Sequence, residues 1–159
     1  MEEKLSSPRA NTSMADILPD NISHMNTLEP EDYDALAELR YLGRKFLRFS
    51  KDFLRAKVGL NPEQYEALLA IKAFPGNSLT ISQLSERLQV KHHSAVNIAD
   101  RLVERKLIRR RPGKHDRRQR HLELTDEGEK LIEEMALVHY SELSNRSEEM
   151  IEALRRLKR

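Results

Sequence analysis

The chain of 159 residues has no cysteine, which excludes disulfides, thiolate metal sites and cysteine redox switching. It has no tryptophan and only 5% aromatic content, so a core must be built mainly from aliphatic side chains. No apolar run approaches the roughly 18 residues that a membrane span needs. The N-terminus lacks the basic segment and apolar block of a secretory signal. A cytoplasmic protein with no membrane partner is therefore the expectation.

Signatures of catalysis are missing too. There is no glycine-rich phosphate loop and no Gly-x-Ser-x-Gly elbow. Ser94 lies beside His92 and His93 in sequence only, and the paired acids Glu133 and Glu134 fall on a solvated helix face. Adjacent residues on a helix diverge by about 100°, so His92 and His93 cannot easily share one ion. The chain reads as a non-enzyme with no catalytic residue, no metal and no cofactor.

What is present is a concentration of charge. The 28 basic and 26 acidic residues give a net charge of +2. Between Arg105 and His121, nine Lys or Arg stand against Asp116 alone, a local +8 that leaves the rest of the chain at −6. A patch of that kind usually faces a polyanion, and the alternative is a solvated charge run. The patch peaks in Lys114-His115-Asp116-Arg117-Arg118, a basic knot around one carboxylate.

Residues 1–28 are rich in Ser, Asn, Pro and Asp without sustained period, which predicts a flexible tail. Residues 29–60 form one helix: Pro30 opens it, Glu31, Asp32 and Asp34 suit its N-terminus, and Gly59 stops it. Leu36, Leu39, Leu42, Phe46, Phe49 and Phe53 recur along it every three or four residues. At roughly 25 residues it is about twice the usual helix length, more than a small domain can cover, which points to a partner subunit.

Residues 61–124 hold a tighter series. Asn61-Pro62-Glu63-Gln64 and Thr80-Ile81-Ser82-Gln83 each read as a capped helix start. Pro75-Gly76-Asn77 separates those two helices, and Val90 sits in the turn before a third over about Lys91 to Arg105. Leu122 and Leu124 alternate with His121 and Glu123, a period of two. With the strand before Pro112-Gly113, this predicts a hairpin carrying the basic knot. Residues 125–159 read as two more helices, capped by Thr125 and Ser147, with Leu131, Met135, Leu154 and Leu157 among their apolar positions. Two helices joined by a tight turn and followed by a hairpin make a winged helix-turn-helix. The fold class is mainly α (α+β), a winged helix-turn-helix with long N- and C-terminal dimerisation helices.

The segments LTISQLSERLQVKHHSAVNIADRLVERKLIRRR, DRR and LELTDEGEKL, in that order and spacing, resemble the multiple-antibiotic-resistance regulator (MarR) family. The likeness covers about Pro30 to Lys158. It implies a homodimeric bacterial or archaeal transcription regulator whose terminal helices intertwine, each subunit offering one winged helix to double-stranded DNA at a palindromic operator. It also implies a repressor released by a small aromatic or phenolic effector, whose binding residues no short motif fixes. The dimerisation candidates are Leu36, Leu39, Phe46, Leu131, Met135, Leu154 and Leu157.

On the third helix of the lobe, Ala95, Ile98, Ala99 and Leu102 form the core face, with His93 and Asn97 opposite and Ser94, Val96 and Arg101 at the borders. Asn97 can pair with adenine, Arg101 with guanine or phosphate, and Val96 can touch a thymine methyl. The DNA-binding candidates are Lys91, His92, His93, Ser94, Val96, Asn97, Arg101, Lys114, Asp116, Arg117 and Arg118. By the family's D-x-R pattern, Arg118 enters the minor groove and Asp116 orients it. The competing functions are a winged-helix protein-interaction module and a sequence-neutral nucleic-acid binder.

Overall fold

The computed structural model describes residues 27–113 and 119–157. Helix α1 (Pro30–Val58) starts where a carboxylate oxygen of Asp32 accepts from the Glu29 N–H at 2.9 Å. It ends at Gly59, whose φ of +62° only glycine adopts without cost. Helix α2 (Pro62–Ala73) opens on a reciprocal cap: Asn61 Oδ1 accepts from Gln64 N–H at 2.8 Å, and Gln64 Oε1 accepts from Asn61 N–H at 3.1 Å. A left-handed turn through Gly76 leads into strand β1 (Ser78–Thr80).

Helix α3 (Ile81–Leu88) repeats the reciprocal cap with Thr80 and Gln83. It closes at Gln89, at φ +53°, where the Val90 N–H reaches back to the Ser85 carbonyl at 3.1 Å. The Ser85 hydroxyl then donates to the Val90 carbonyl at 2.7 Å, locking the turn into helix α4 (His92–Glu104). Strands β2 (Ile108–Pro112) and β3 (Arg120–Leu124) follow, and then helix α5 (Asp126–Arg156).

Two features depart from the sequence reading. The C-terminal region is one helix of 31 residues, not two. Ser147 does not cap a new helix; its hydroxyl donates to the Ser144 carbonyl at 2.8 Å, the back-bonding of a Ser inside a helix. Neither Pro nor Gly follows Gly128 to break the turn, and Arg146 pairs with Glu142 across one turn. The second departure is β1, which the sequence left unread. Three residues carry no period, and the strand exists because Leu79 pairs with Leu122 in an antiparallel sheet of order β1-β3-β2.

The winged lobe has an aliphatic core. Leu68 and Ile71 of α2, Leu79, Leu84, Ala95, Ala99 and Leu102, and Leu122 of the wing are fully buried. Leu54 at the end of α1 and Ile132 near the start of α5 join the same cluster, so the long helices are continuous with the lobe. Farther along, α1 and α5 pack on each other. There His139 is buried against Phe46, Phe49, Phe53 and Tyr65, the last stacked at 4.3 Å. The Met135 carbonyl can only accept, so His139 Nδ1 carries a proton toward it at 2.7 Å, while Nε2 meets Ser50 Oγ at 2.9 Å. Among the described residues no helix is long and apolar enough to cross a membrane.

The joint between lobe and long helices is a left-handed turn. Lys106 has φ +59°, and its N–H reaches the Val103 carbonyl at 2.8 Å while the Leu107 N–H reaches that of Leu102 at 3.0 Å. This is a Schellman closure with a lysine where glycine is usual. Thr125 docks on it: its hydroxyl donates to the Lys106 carbonyl at 2.6 Å and its N–H to that of Leu107 at 3.1 Å. The same hydroxyl accepts from the Gly128 N–H at 3.0 Å. A Cβ at Gly128 would overlap the Leu107 carbonyl.

Two substitutions at this joint have opposite signs. Lys106→Gly removes the steric cost of the left-handed backbone and is expected to stabilise by about 1 kcal/mol. Gly128→Ala gains about 1 kcal/mol of helix propensity but forces α5 off the turn, at a cost of about 1–3 kcal/mol. The net expectation is destabilisation, and the reverse order in thermal unfolding would contradict the packing.

Candidate nucleic-acid interface

Helix α4 buries one face and offers the other. Ala95, Ile98, Ala99 and Leu102 are inside, whereas Lys91, His92, His93, Asn97 and Arg101 are exposed. Ser94 and Val96 are half-buried at the borders. Lys91 caps the helix through its backbone alone, leaving its side chain available. The exposed set lies on one side because 3.6 residues per turn return His93, Asn97 and Arg101 to the same stripe.

Two clefts flank this helix. One, of about 480 Å³, is lined by Thr80, Ser82 and Gln83 at the start of α3, by His92, and by Gln119 and Arg120 at the loop end of the wing. The other, of about 220 Å³, brings Ser94, Asn97 and Arg101 against Asn61 and Glu63 at the start of α2. Ser82, Gln83, Asn61 and Glu63 entered the sequence reading only as parts of helix starts, not as residues of this surface. Their signal was available in part, since both capping boxes place polar residues at helix starts, but only the packing of α2 and α3 on α4 turns them toward one surface. Next to Glu63, burial and then the Glu63 charge push the Glu66 carboxyl above its ordinary pKa.

The wing candidates Lys114, Asp116, Arg117 and Arg118 lie outside the described residues. The hairpin below them is closed by the Gly113 N–H donating to the Gln119 carbonyl at 2.9 Å. Its two strands stay in register from Pro112 opposite Arg120 to Ile108 opposite Leu124.

The local +8 is not all available to a polyanion. Arg109 and Arg111 both reach Glu123 on the neighbouring strand, at 3.3 and 3.2 Å. Arg110 reaches Asp100 of α4 at 2.7 Å, tying the wing to that helix. Arg105 turns away to the end of α1, where it donates to the Val58 carbonyl at 2.7 Å and the Gly59 carbonyl at 2.9 Å. Exposed ion pairs of this kind contribute at most about 1 kcal/mol to stability, so their effect is on where positive potential points. Lys106 and Arg120 stay exposed at the two ends of the hairpin.

The dimerisation candidates divide. Leu36 and Leu154 are exposed on α1 and α5, alongside Tyr33, Tyr41, Leu47, Leu137, Tyr140 and Ile151. Leu39, Phe46 and Leu157 are half-buried. Met135 is buried in the chain's own core and offers little surface to a partner, and Leu131 is half-buried against that core. Among the described residues no group of three or more His, Asp or Glu could hold a metal ion.

Residues 58–119 match the family model described as MarR family. Over 79 residues the chain is 39% identical to the HTH-type transcriptional repressor MdtR of Bacillus subtilis, covering 50% of each chain. It spans about half the length of the curated relatives it matches. The crystal structure of the YusO protein from Bacillus subtilis is 30% identical, with 77% of this chain and 89% of that one covered and a TM-score of 0.58. The structure of AbsC, a MarR family transcriptional regulator from Streptomyces coelicolor, shares the winged-helix fold at 21% identity, over 79% of this chain and 82% of that one, with a TM-score of 0.64.

The divided charge has a measurable consequence. Glu123→Gln removes the negative charge shared by Arg109 and Arg111 without changing side-chain size. The variant is expected to elute from a heparin column at higher salt than the parent, because each cation released adds to the polyanion contact. Equal elution would mean that these arginines do not face the polyanion even when unpaired.

Proposed function

The chain belongs to the MarR family, and from that premise we propose that it is a homodimeric regulator of transcription, a repressor that binds a palindromic operator in double-stranded DNA. The observation that carries this reading is the exposed polar stripe of α4, flanked by two clefts and continuous with a basic hairpin. An α-helix so presented fits the major groove, and a two-stranded hairpin fits the narrower groove beside it. Asn97 and Arg101 read base edges, with His93 between them and the phosphates. Lys91, His92 and Ser94 bind the backbone at the start of the helix, and Val96 makes an apolar contact at its border. On the wing, Arg118 enters the minor groove and Asp116 holds its guanidinium in place beforehand, sparing rotamer entropy on entry. Lys114 and Arg117 serve phosphates.

The exposed apolar residues of α1 and α5 support assembly with a second copy. Large apolar side chains left exposed on two helices that pack on each other suit an interaction face. Leu36, Leu39, Phe46, Leu154 and Leu157 lie in that interface, which sets the spacing of the two recognition helices. A small aromatic effector lowers the affinity of this dimer for DNA. The similar MdtR of Bacillus subtilis is named as a transcriptional repressor, which supports that sign of regulation.

Selection of bound sequences from a random duplex library at near-physiological salt tests the reading. The expected result is a palindrome with half-sites about one helical turn apart. No enrichment above random would leave a sequence-neutral binder or a protein-interaction module instead. On the selected duplex, Arg118→Ala is expected to weaken binding by roughly tenfold to a hundredfold with the fold intact. Sedimentation of the free protein at micromolar concentration is expected to give a dimer, and a monomer would contradict the assignment of α1 and α5.

A further inference from the structure

We propose that Arg105 is a positioning residue that fixes the recognition helix relative to the dimer frame and thereby sets the half-site spacing the protein accepts. This rests on the reading of the chain as a dimeric operator-binding protein. Arg105 is the last residue before the left-handed Lys106, at the C-terminal cap of α4. Its guanidinium does not point along the helix. It crosses to the C-terminus of α1, donating to Val58 O at 2.7 Å and Gly59 O at 2.9 Å.

Carbonyls at a helix C-terminus lack intrahelical donors and carry the negative end of the helix dipole. A planar guanidinium satisfies two of them at once and resists rotation about that contact, which an ammonium cannot do. On the other side of the same turn, the carbonyls of Lys106 and Leu107 hold Thr125 at the head of α5. The end of the recognition helix is thus fastened to the end of one long helix and the start of the other.

The lever is long enough to matter. Helix α4 has 13 residues, so its DNA-facing start stands about 20 Å from the joint. A tilt of about 10° at the joint moves that start by about 3.5 Å, the rise of one base-pair step. A second copy moves in the opposite sense, so the error in spacing doubles.

The test is equilibrium binding of the full chain, Arg105→Ala and Arg105→Lys to three palindromic duplexes. One carries the selected spacing and the others are one base pair shorter and longer, each at two salt concentrations. The expected result is that both variants stay dimeric, lose about tenfold on the selected spacing and lose much of the discrimination between spacings. Arg105→Lys keeps the stem and charge, and decides the matter if Arg105→Ala destabilises the lobe. An Arg105 that merely contacts phosphate would weaken all three duplexes equally, lower the salt slope by about one and be rescued by Lys; that pattern, or unchanged discrimination in both variants, overturns the proposal. A parent protein that shows no spacing preference would instead overturn the dimeric operator reading, and the role of Arg105 with it.

Discussion

At the end of α4 the backbone turns left-handed at Lys106, and the two carbonyls that this turn presents, of Lys106 and Leu107, are the ones Thr125 grips. Gly128 has no side chain because the Leu107 carbonyl occupies that space. The direction of α5 follows from this contact, and so does the placement of every apolar residue along its length. The same turn sends Arg105 to the end of α1. A lysine in a conformation that suits glycine carries a local cost of about 1–2 kcal/mol, and the hydrogen bonds and buried leucines on either side offset it.

The charge of the hairpin follows a related logic. Placing Arg109, Arg110 and Arg111 in consecutive positions on a strand points them to alternating faces. Two of them flank Glu123 on the adjacent strand, and the middle one meets Asp100 on the helix. The Arg110 pair holds the wing to α4, the other two stay within the hairpin, and exposed positive charge remains at its ends. A net charge over the segment therefore overstates the field that an approaching polyanion meets, since paired charges largely cancel beyond a Debye length of about 8–10 Å.

The apolar faces of α1 and α5 show how one periodic pattern can serve two purposes. Leu54 and Ile132 enter the lobe core, Met135 is covered by its own chain, and Leu36 and Leu154 remain open. All of them recur at the same three- or four-residue interval. The spacing says that a stripe is apolar and does not say which body covers it. At the middle of this stretch the buried Ser50 and His139 meet in a hydrogen bond across 89 positions of sequence, enclosed by aromatic rings that make up much of the chain's small aromatic content.

Helix starts and stops were legible because their physics is local. Asn61 with Gln64, Thr80 with Gln83, and Thr125 with Gly128 each close within four residues, and Gly59 adopts its own backbone angle. The face of α4 that turns outward was equally legible, since helical period alone separates Asn97 from Ile98. What the tertiary structure decided depends on partners far away in sequence. Strand β1 needs β3, more than forty residues on, to be a strand at all. The unbroken α5 needs a helix to lie against along its length, because an isolated Ser147 favours a cap as readily as an interior turn. The burial of Met135, the clefts beside α4 and the reach of Arg105 likewise arise only when elements meet. Local hydrogen bonding is written in adjacent residues, whereas packing is a property of surfaces that the chain brings together only after those local elements have formed.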